Sequence, residues 1–248
     1  MYRYLIEIGE YTDNWMGFAA VMVGILIAVA IYTLLLNPLH NRVKYIVAAK
    51  CGADNVYDHR FYSMSMRYNF NLIGFITCLL LNINFSQPVH YETERLRRPK
   101  LHTILISLSG FLTYGVYFLV SAVIYSVLKF GDFFPINSAS VVPYQADYKT
   151  YICYALFVAV FFIYRISICS IFFNIIPLGP LDMADVLYDF LPINWVDGLR
   201  NNVSLLSLIL FVFAFLVVGG PDGVINVVGN STMLGFSNWL REVFYSVF

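Results

Sequence analysis

Charged residues are scarce in this chain. Only 12% of its 248 residues are Asp, Glu, Lys or Arg, whereas about 25% is usual in soluble domains. Fifteen basic residues balance fifteen acidic ones, so nothing in the net charge indicates a nucleic-acid partner. Hydrophobic residues make up 60% of the chain. This composition predicts an all-α integral membrane protein in which residues 1–248 form a single membrane domain.

Cysteine motifs and a targeting signal are also lacking. The cysteines are scattered and form no C-x-x-C pair, which gives no indication of a zinc or redox motif. The first ten residues contain Glu7 and Glu10 and lack a basic region, so they do not predict a cleaved signal peptide. We expect an integral membrane location, in either a bacterial inner membrane or an organelle membrane.

Long apolar runs predict about four transmembrane helices. The first, residues 15–36, would cover roughly 33 Å as a helix, enough for a hydrocarbon core of about 30 Å. It ends at Asn37-Pro38, where proline predicts a helix end. The other three runs are residues 101–128, 151–176 and 203–218. Residues 178–202 have the pattern of an interfacial amphipathic helix followed by a loop, and residues 236–248 have that of an amphipathic helix lying on the membrane.

A shorter apolar run, residues 72–85, would reach only roughly 21 Å as a helix. Basic residues flank it on both sides, with Arg60 and Arg67 before it and residues 95–100 after it. A span would place one of these groups on the wrong side under the positive-inside rule. The run therefore predicts a re-entrant or interfacial segment, and a short tilted span is the alternative.

The distribution of basic residues predicts the topology. Nine of the fifteen Lys and Arg residues fall between positions 40 and 100, which places this region on the cytoplasmic or equivalent side. The N-terminus and the loop at 129–150 would then lie outside. Within the basic region, residues 40–51 have helical spacing, with Val43, Ile46 and Val47 on one face.

A lone carboxylate follows a helix-breaking stretch at residues 173–183, read as F-N-I-I-P-L-G-P-L-D-M. The prolines and Gly179 predict broken backbone, which membranes tolerate only where protein or a wet cavity covers it. An acid in such a place is a candidate functional residue. Asp182 is therefore the leading candidate, and a solvated acid at a helix end is the alternative.

Residues 173–182 resemble the F-N-x-x-P-x-x-P-L-D signature of the site-2 protease family, the intramembrane zinc metalloproteases. Four other stretches agree in order: N-F-N-L-I-G at 69–74, Q-P-V with R-L-R-R-P-K at 87–100, L-I-S-L-S-G at 105–110 and D-V-L-Y-D-F-L-P at 185–192. The resemblance covers about residues 20–220 and implies a site-2 protease-like core.

The resemblance places the family's H-E-x-x-H motif on residues 40–44, which read H-N-R-V-K. His40 and Asp182 match two zinc ligands, but Asn41 replaces the glutamate and Lys44 the second histidine. A catalytic zinc commonly has three protein ligands, and Asn41 cannot act as the general base. The residues therefore predict an inactive member with no intact catalytic residue and no metal or other cofactor.

Lys44 and Asp182 are predicted to form a buried ion pair, with the ammonium in the position that zinc would take. His40 and Lys44 are four residues apart and share a helix face. Removing one partner of such a pair costs about 3–5 kcal/mol. The alternative is that Lys44 extends to the membrane surface while Asp182 is hydrated.

Three further residues are assigned to a groove by the resemblance: Asn174, Pro177 and Pro180 would hold a substrate or a partner. Asn174 could instead cap broken backbone. Arg165 lies in the middle of an apolar run, so it should face the bundle, a partner or a cavity. The histidines at 59, 90 and 102 have no helical spacing to His40 and are expected at the surface.

The expected function is binding rather than catalysis. The protein would be a scaffold or subunit that contacts other transmembrane helices in a membrane complex, with membrane proteins and lipid as partners. One alternative is an active zinc metalloprotease with an atypical ligand set. The other is an ion or proton pathway through His40, Lys44, Asp182 and Arg165, which would require a continuous hydrated path between them.

Overall fold

The computed structural model describes residues 14–53, 62–84, 86, 89, 91, 95–130, 146–176, 181–202, 205, 209, 235 and 239. The regular elements within these residues are helices, which confirms the predicted all-α fold class. In chain order they are α1 (Trp15–Lys50), α2 (Met66–Asn69), α3 (Leu72–Leu81), α4 (Pro99–Phe130), α5 (Tyr148–Asn174), α6 (Ala184–Tyr188) and α7 (Ile193–Asn201).

Three of these helices, α1, α4 and α5, are long and apolar enough to cross a membrane. They correspond to the first three predicted spans. The predicted fourth span at 203–218 and the amphipathic segment at 236–248 lie almost entirely outside the described residues. The stretch at 178–202, predicted as an amphipathic helix followed by a loop, contains two short helices, α6 and α7.

Helix α1 does not end at Asn37-Pro38, so that predicted boundary is wrong. A π-helical stretch, Tyr32–Leu36, joins the α-helical parts before and after it, and the N–H of Asn37 donates to the carbonyl of Tyr32. In a regular α-helix the proline ring would clash with the carbonyl four residues earlier. The wider π-turn relieves that clash, and α1 continues to Lys50.

The second half of α1 buries its polar face. Its buried side chains include Asn37, His40, Asn41 and Lys44. The apolar face noted in the sequence, which contains Val43, is only half-buried. This inverted arrangement is expected where apolar side chains can face lipid and polar groups must find partners inside the protein.

Helix α5 is the centre of the bundle. In its most apolar stretch 72% of the residues are buried, against 44% in α1 and in α4, so α5 has the least surface left for lipid. Helix α1 approaches it closely at Gly24, where an added Cβ would lie 2.8 Å from the Cβ of Val158. Small residues at such positions allow two backbones to pack in direct contact.

The short helix α3 is bounded by two asparagines. The Asn71 side chain accepts hydrogen bonds from the N–H groups of Ile73 (3.0 Å) and Gly74 (3.2 Å), which caps the N-terminus. At the other end Asn82 has a φ of 56°, the left-handed conformation that reverses the chain after a helix. Asparagine tolerates this conformation better than most residues.

Both ends of the α3 segment return to the same level of α1. The Asn41 amide donates to Asn69 (2.9 Å) before α3, and Asn37 and Asn84 exchange hydrogen bonds of 3.0 and 2.5 Å after it. Asn37 and Asn41 are one turn apart, or about 6 Å along the axis, whereas a span would separate its ends by about 30 Å. These contacts favour the re-entrant interpretation over a short tilted span.

Candidate functional site

Three residues that the sequence singled out meet inside the bundle. The Nζ atom of Lys44 lies 2.7 Å from Oδ1 of Asp182, and Nε2 of His40 lies 3.1 Å from Oδ2 of the same carboxylate. The contact between Lys44 and Asp182 confirms the predicted pairing of these two residues. His40 and Lys44 reach Asp182 together because they are one turn apart on the buried face of α1.

His40 has partners on both ring nitrogens. A deprotonated Asp182 only accepts hydrogen bonds, so Nε2 must carry the proton that it receives. The other nitrogen, Nδ1, lies 3.2 Å from Oγ of Ser86 and 3.3 Å from Oδ1 of Asn41. The ring also stacks on Tyr114, with centroids 4.5 Å apart. Contacts in three directions hold the imidazole in one orientation.

Asp182 is held by its backbone as well as its side chain. Its N–H donates to Oδ1 of Asn174 (3.3 Å), while the Asn174 amide donates to the carbonyl of Ser170 (2.8 Å). Asn174 therefore acts as a cap on the backbone after α5, as the alternative interpretation expected. Pro177 and Pro180, the other two predicted groove residues, lie outside the described residues.

Gly110 on α4 packs directly against Asp182 and His40. A Cβ added there would lie 2.8 Å from Cγ of Asp182 and 2.9 Å from Nε2 of His40. Real Cβ atoms are not found so close to other heavy atoms, so any side chain at this position would displace Asp182 and His40. A residue without a side chain is what allows α4 to pack directly over the carboxylate.

The site is sealed from solvent. His40 is 0%, Asp182 3% and Lys44 4% exposed. Burial by itself would raise the pKa of Asp182, but the charges of Lys44 and His40 and their hydrogen bonds hold that pKa below its usual range. The carboxylate is therefore ionised, and it balances the ammonium of Lys44. Such a pair is stable only while both charges are present.

The residues of the site do not fit a catalytic zinc ion. His40 and Asp182 offer two donors, and the third side chain of the group, Lys44, carries an ammonium that has no lone pair to give. Asn41 has no carboxylate, and its amide donates to Asn69. Within the described part of the chain no three His, Cys, Asp or Glu residues are grouped to hold a metal.

Several site residues were missed by the sequence analysis. Ser86, Asn69 and Tyr114 contact the central residues, and Asn37 with Asn84 anchors the segment that delivers Ser86. One signal was available, because asparagines at 69, 71, 82 and 84 bracket an otherwise apolar run. Buried amides need partners, so a cluster of them indicates contact with another polar surface.

Two other predicted residues lie apart from this centre. Arg165 is on α5, 9% exposed, and faces the bundle, which is one of the three environments predicted for it. It is nine residues before Asn174, about 13 Å along the helix. His102 is half-buried at the start of α4, where its Nδ1 accepts from the N–H of Arg98 (3.4 Å). His59 and His90 lie outside the described residues.

No protein-family model, curated protein or solved structure matches this chain.

Proposed function

We propose that this protein is a non-catalytic, site-2 protease-like membrane protein that binds other transmembrane helices as a scaffold or subunit of a complex. The observation that carries the proposal is the contact of 2.7 Å between Lys44 and Asp182. The family resemblance places a histidine and a zinc ion where this ammonium lies. The lysine supplies the positive charge that balances Asp182 without supplying any chemistry of hydrolysis.

Two losses act together against hydrolysis. A zinc-bound water needs a general base to take its proton, and Asn41 provides none. A zinc ion also needs a third ligand, and Lys44 repels the cation that it would have to bind. The burial of His40, Lys44 and Asp182 supports the same conclusion, because the three residues are at most 4% exposed.

Restoration of the missing residues tests the proposal. We would purify the wild-type protein and the Asn41→Glu/Lys44→His variant, equilibrate both with zinc and measure bound metal by elemental analysis. We expect no stoichiometric zinc in the wild type and about one ion per chain in the variant, because three ligands and a base would then be present. The single variant Lys44→His restores the third ligand without the general base, so its comparison with the double variant shows whether the ligand alone is enough for zinc binding.

Asp182→Ala in the restored background is the matched control, and it should abolish zinc binding. Stoichiometric zinc in the wild-type protein, lost in Asp182→Ala, would overturn the proposal in favour of an active metalloprotease with another ligand. If neither Lys44→His nor Asn41→Glu/Lys44→His binds zinc while both variants remain folded, the family resemblance no longer supports the proposal.

The binding role is tested separately by photo-crosslinking in native membranes. A crosslinker at Ile175, which is exposed beside Asn174, should give one discrete protein product if a transmembrane helix docks there. The same group at Val116, exposed on α4 away from the site, is the control and should give lipid adducts only. Equal products at both positions would argue against a specific docking surface.

A further inference from the structure

A dense group of cations lies at the start of α4. Within six residues the sequence reads R-L-R-R-P-K, and Arg97, Arg98 and Lys100 are all exposed, as is Arg95. The segment is fixed in place because Leu96 is buried against the end of α1 and the N–H of Arg97 donates to the carbonyl of Cys51 (3.2 Å). The same contact brings the end of α1, with the exposed Lys50, beside the group. We refer to Lys50, Arg95, Arg97, Arg98 and Lys100 as the basic rim.

The basic rim lies where the apolar surface of α4 begins. Leu101, the residue after Lys100, is exposed, and exposed apolar side chains recur along the helix as far as Ile124. This stripe spans about 35 Å at 1.5 Å per residue, close to the thickness of a hydrocarbon core. Since the stripe faces lipid chains, the cations at its edge are at the depth of the phosphate groups.

Aromatic side chains mark the same depth on the neighbouring elements. Phe190, which follows α6, and Trp195 on α7 are both 67% exposed. Lys100 places its Nζ 5.6 Å from the centre of the Phe190 ring. Aromatic residues are enriched at the boundary between lipid chains and headgroups, and a cation held over a ring is fixed in position beside it.

The acidic residues that the structure describes near this surface are few, and Glu92 and Glu94, which precede Arg95, lie outside the described residues. Of the acidic residues described on α6 and α7, Asp185 and Asp189 are half-buried, and Asp185 accepts a hydrogen bond from Tyr91 (3.2 Å). Asp197 is exposed. Among the described residues of this surface, five exposed cations therefore stand against one exposed carboxylate. The free N–H groups at the start of α4 add further positive potential at the same place.

We infer that the basic rim binds the phosphate groups of anionic phospholipids and holds them beside Phe190. Guanidinium groups suit this ligand because they donate in pairs to phosphate oxygens. The position at the edge of the lipid-facing stripe selects a headgroup rather than a soluble phosphate. This inference does not depend on the proposed absence of catalysis.

Native mass spectrometry of the full chain tests the inference. The detergent-solubilised protein would be mixed with equal amounts of phosphatidylglycerol and phosphatidylcholine, and retained lipid would be counted. We expect the wild type to prefer phosphatidylglycerol. In Arg97→Gln/Arg98→Gln/Lys100→Gln the preference should fall by at least about tenfold, because each cation near an anionic surface contributes about a fivefold factor.

The matched control is Lys149→Gln, an exposed lysine at the start of α5, at the opposite end of the bundle. It should keep the wild-type preference, and excess glycerol phosphate should not displace the bound lipid. Equal retention of both lipids by the wild type would overturn the inference. So would an equal loss in the triple and control variants, or displacement of the lipid by glycerol phosphate or by an acidic peptide.

Discussion

Lys44 is buried among polar side chains on α1, a helix whose apolar side chains can face lipid. Its charge is balanced by one carboxylate, which comes from the loop after α5 and is 138 residues away in sequence. The charge of each residue is tolerated inside the protein only because the other is there. The effects of substitutions at Lys44 and Asp182 on the free energy of unfolding should therefore be coupled, and this coupling can be measured on the purified protein.

Lys44→Met and Asp182→Asn should each destabilise the protein by about 3–5 kcal/mol, since each leaves one buried charge without its counter-ion. The double variant should be much less destabilised than the sum of the two. Thermal unfolding in detergent measures all three, with Lys149→Met as the exposed control that should unfold like the wild type. Additive effects would mean that the pair is hydrated rather than buried.

Gly110→Ala should destabilise the protein by about 1–3 kcal/mol, because its methyl group would overlap the carboxylate of Asp182 and the ring of His40. The same helix supplies a matched control in Gly115, where an added Cβ meets nothing within 4 Å. Gly115→Ala should be neutral or stabilising by up to about 1 kcal/mol. The comparison is made by thermal unfolding, and equal effects at the two positions would contradict the close packing at Gly110.

The residues that the sequence could and could not predict differ in a physical way. Lys44 and Asp182 were predicted to meet because their charges demand partners in an apolar chain and because the family motifs place both in one site. Ser86 was missed because it lies in irregular backbone after α3, and Asn69 because it ends α2, a helix of only four residues. No periodicity marks their direction there, and only the fold determines which polar group they meet.

At the scale of the elements, the segment around α3 is tied at both ends to α1. Helix α3 is too short to span, yet both of its ends are fastened to α1 by asparagine pairs, one at Asn41 and one at Asn37. The sequence predicted the re-entrant form from length and flanking charge. It placed the end of the first helix wrongly at Asn37-Pro38, because the π-turn that accommodates Pro38 depends on backbone geometry that residue type does not reveal.

Asn84→Ala should loosen this segment, since it leaves the buried amide of Asn37 without its partner, at a cost of about 1–3 kcal/mol. Asn37→Ala should have a similar effect, and the double variant should cost less than the sum. Hydrogen exchange of Leu72–Leu81 is the measurement, with faster exchange expected in the single variants. Asn202→Ala is the control, because that amide bonds the Gly198 carbonyl at an exposed position. Unchanged exchange in α3 would show that the asparagine pair does not hold it.

At the scale of the whole molecule, the exposed cations among the described residues are unevenly distributed along the long helices. Lys50, Arg95, Arg97, Arg98 and Lys100 gather where α1 ends and α4 begins, while Lys149 is exposed at the other end, where α5 begins. This asymmetry predicts that residues before and after α3 share one side of the membrane. It agrees with the contacts that return both ends of the segment to α1.

Single cysteines at Arg67, Lys100 and Lys149, all exposed positions, test this topology. They would be introduced into a variant in which the four native cysteines, Cys51, Cys78, Cys153 and Cys169, are replaced by alanine. In oriented vesicles, an impermeant maleimide should label Arg67→Cys and Lys100→Cys from the same side, and Lys149→Cys from the other. Labelling of the first two from opposite sides would establish that residues between them cross the membrane.

The distance between Lys44 and Asp182 along the chain also has a consequence for synthesis. At about 5–20 residues per second, a ribosome needs roughly 7–30 seconds to add the 138 residues that separate them. During that interval Lys44 has been synthesised and the carboxylate that balances it in the folded protein has not. The nascent protein must shelter this charge in the insertion machinery, at the surface or against a chaperone. A chain that stops before Asp182 would leave Lys44 without this counter-ion.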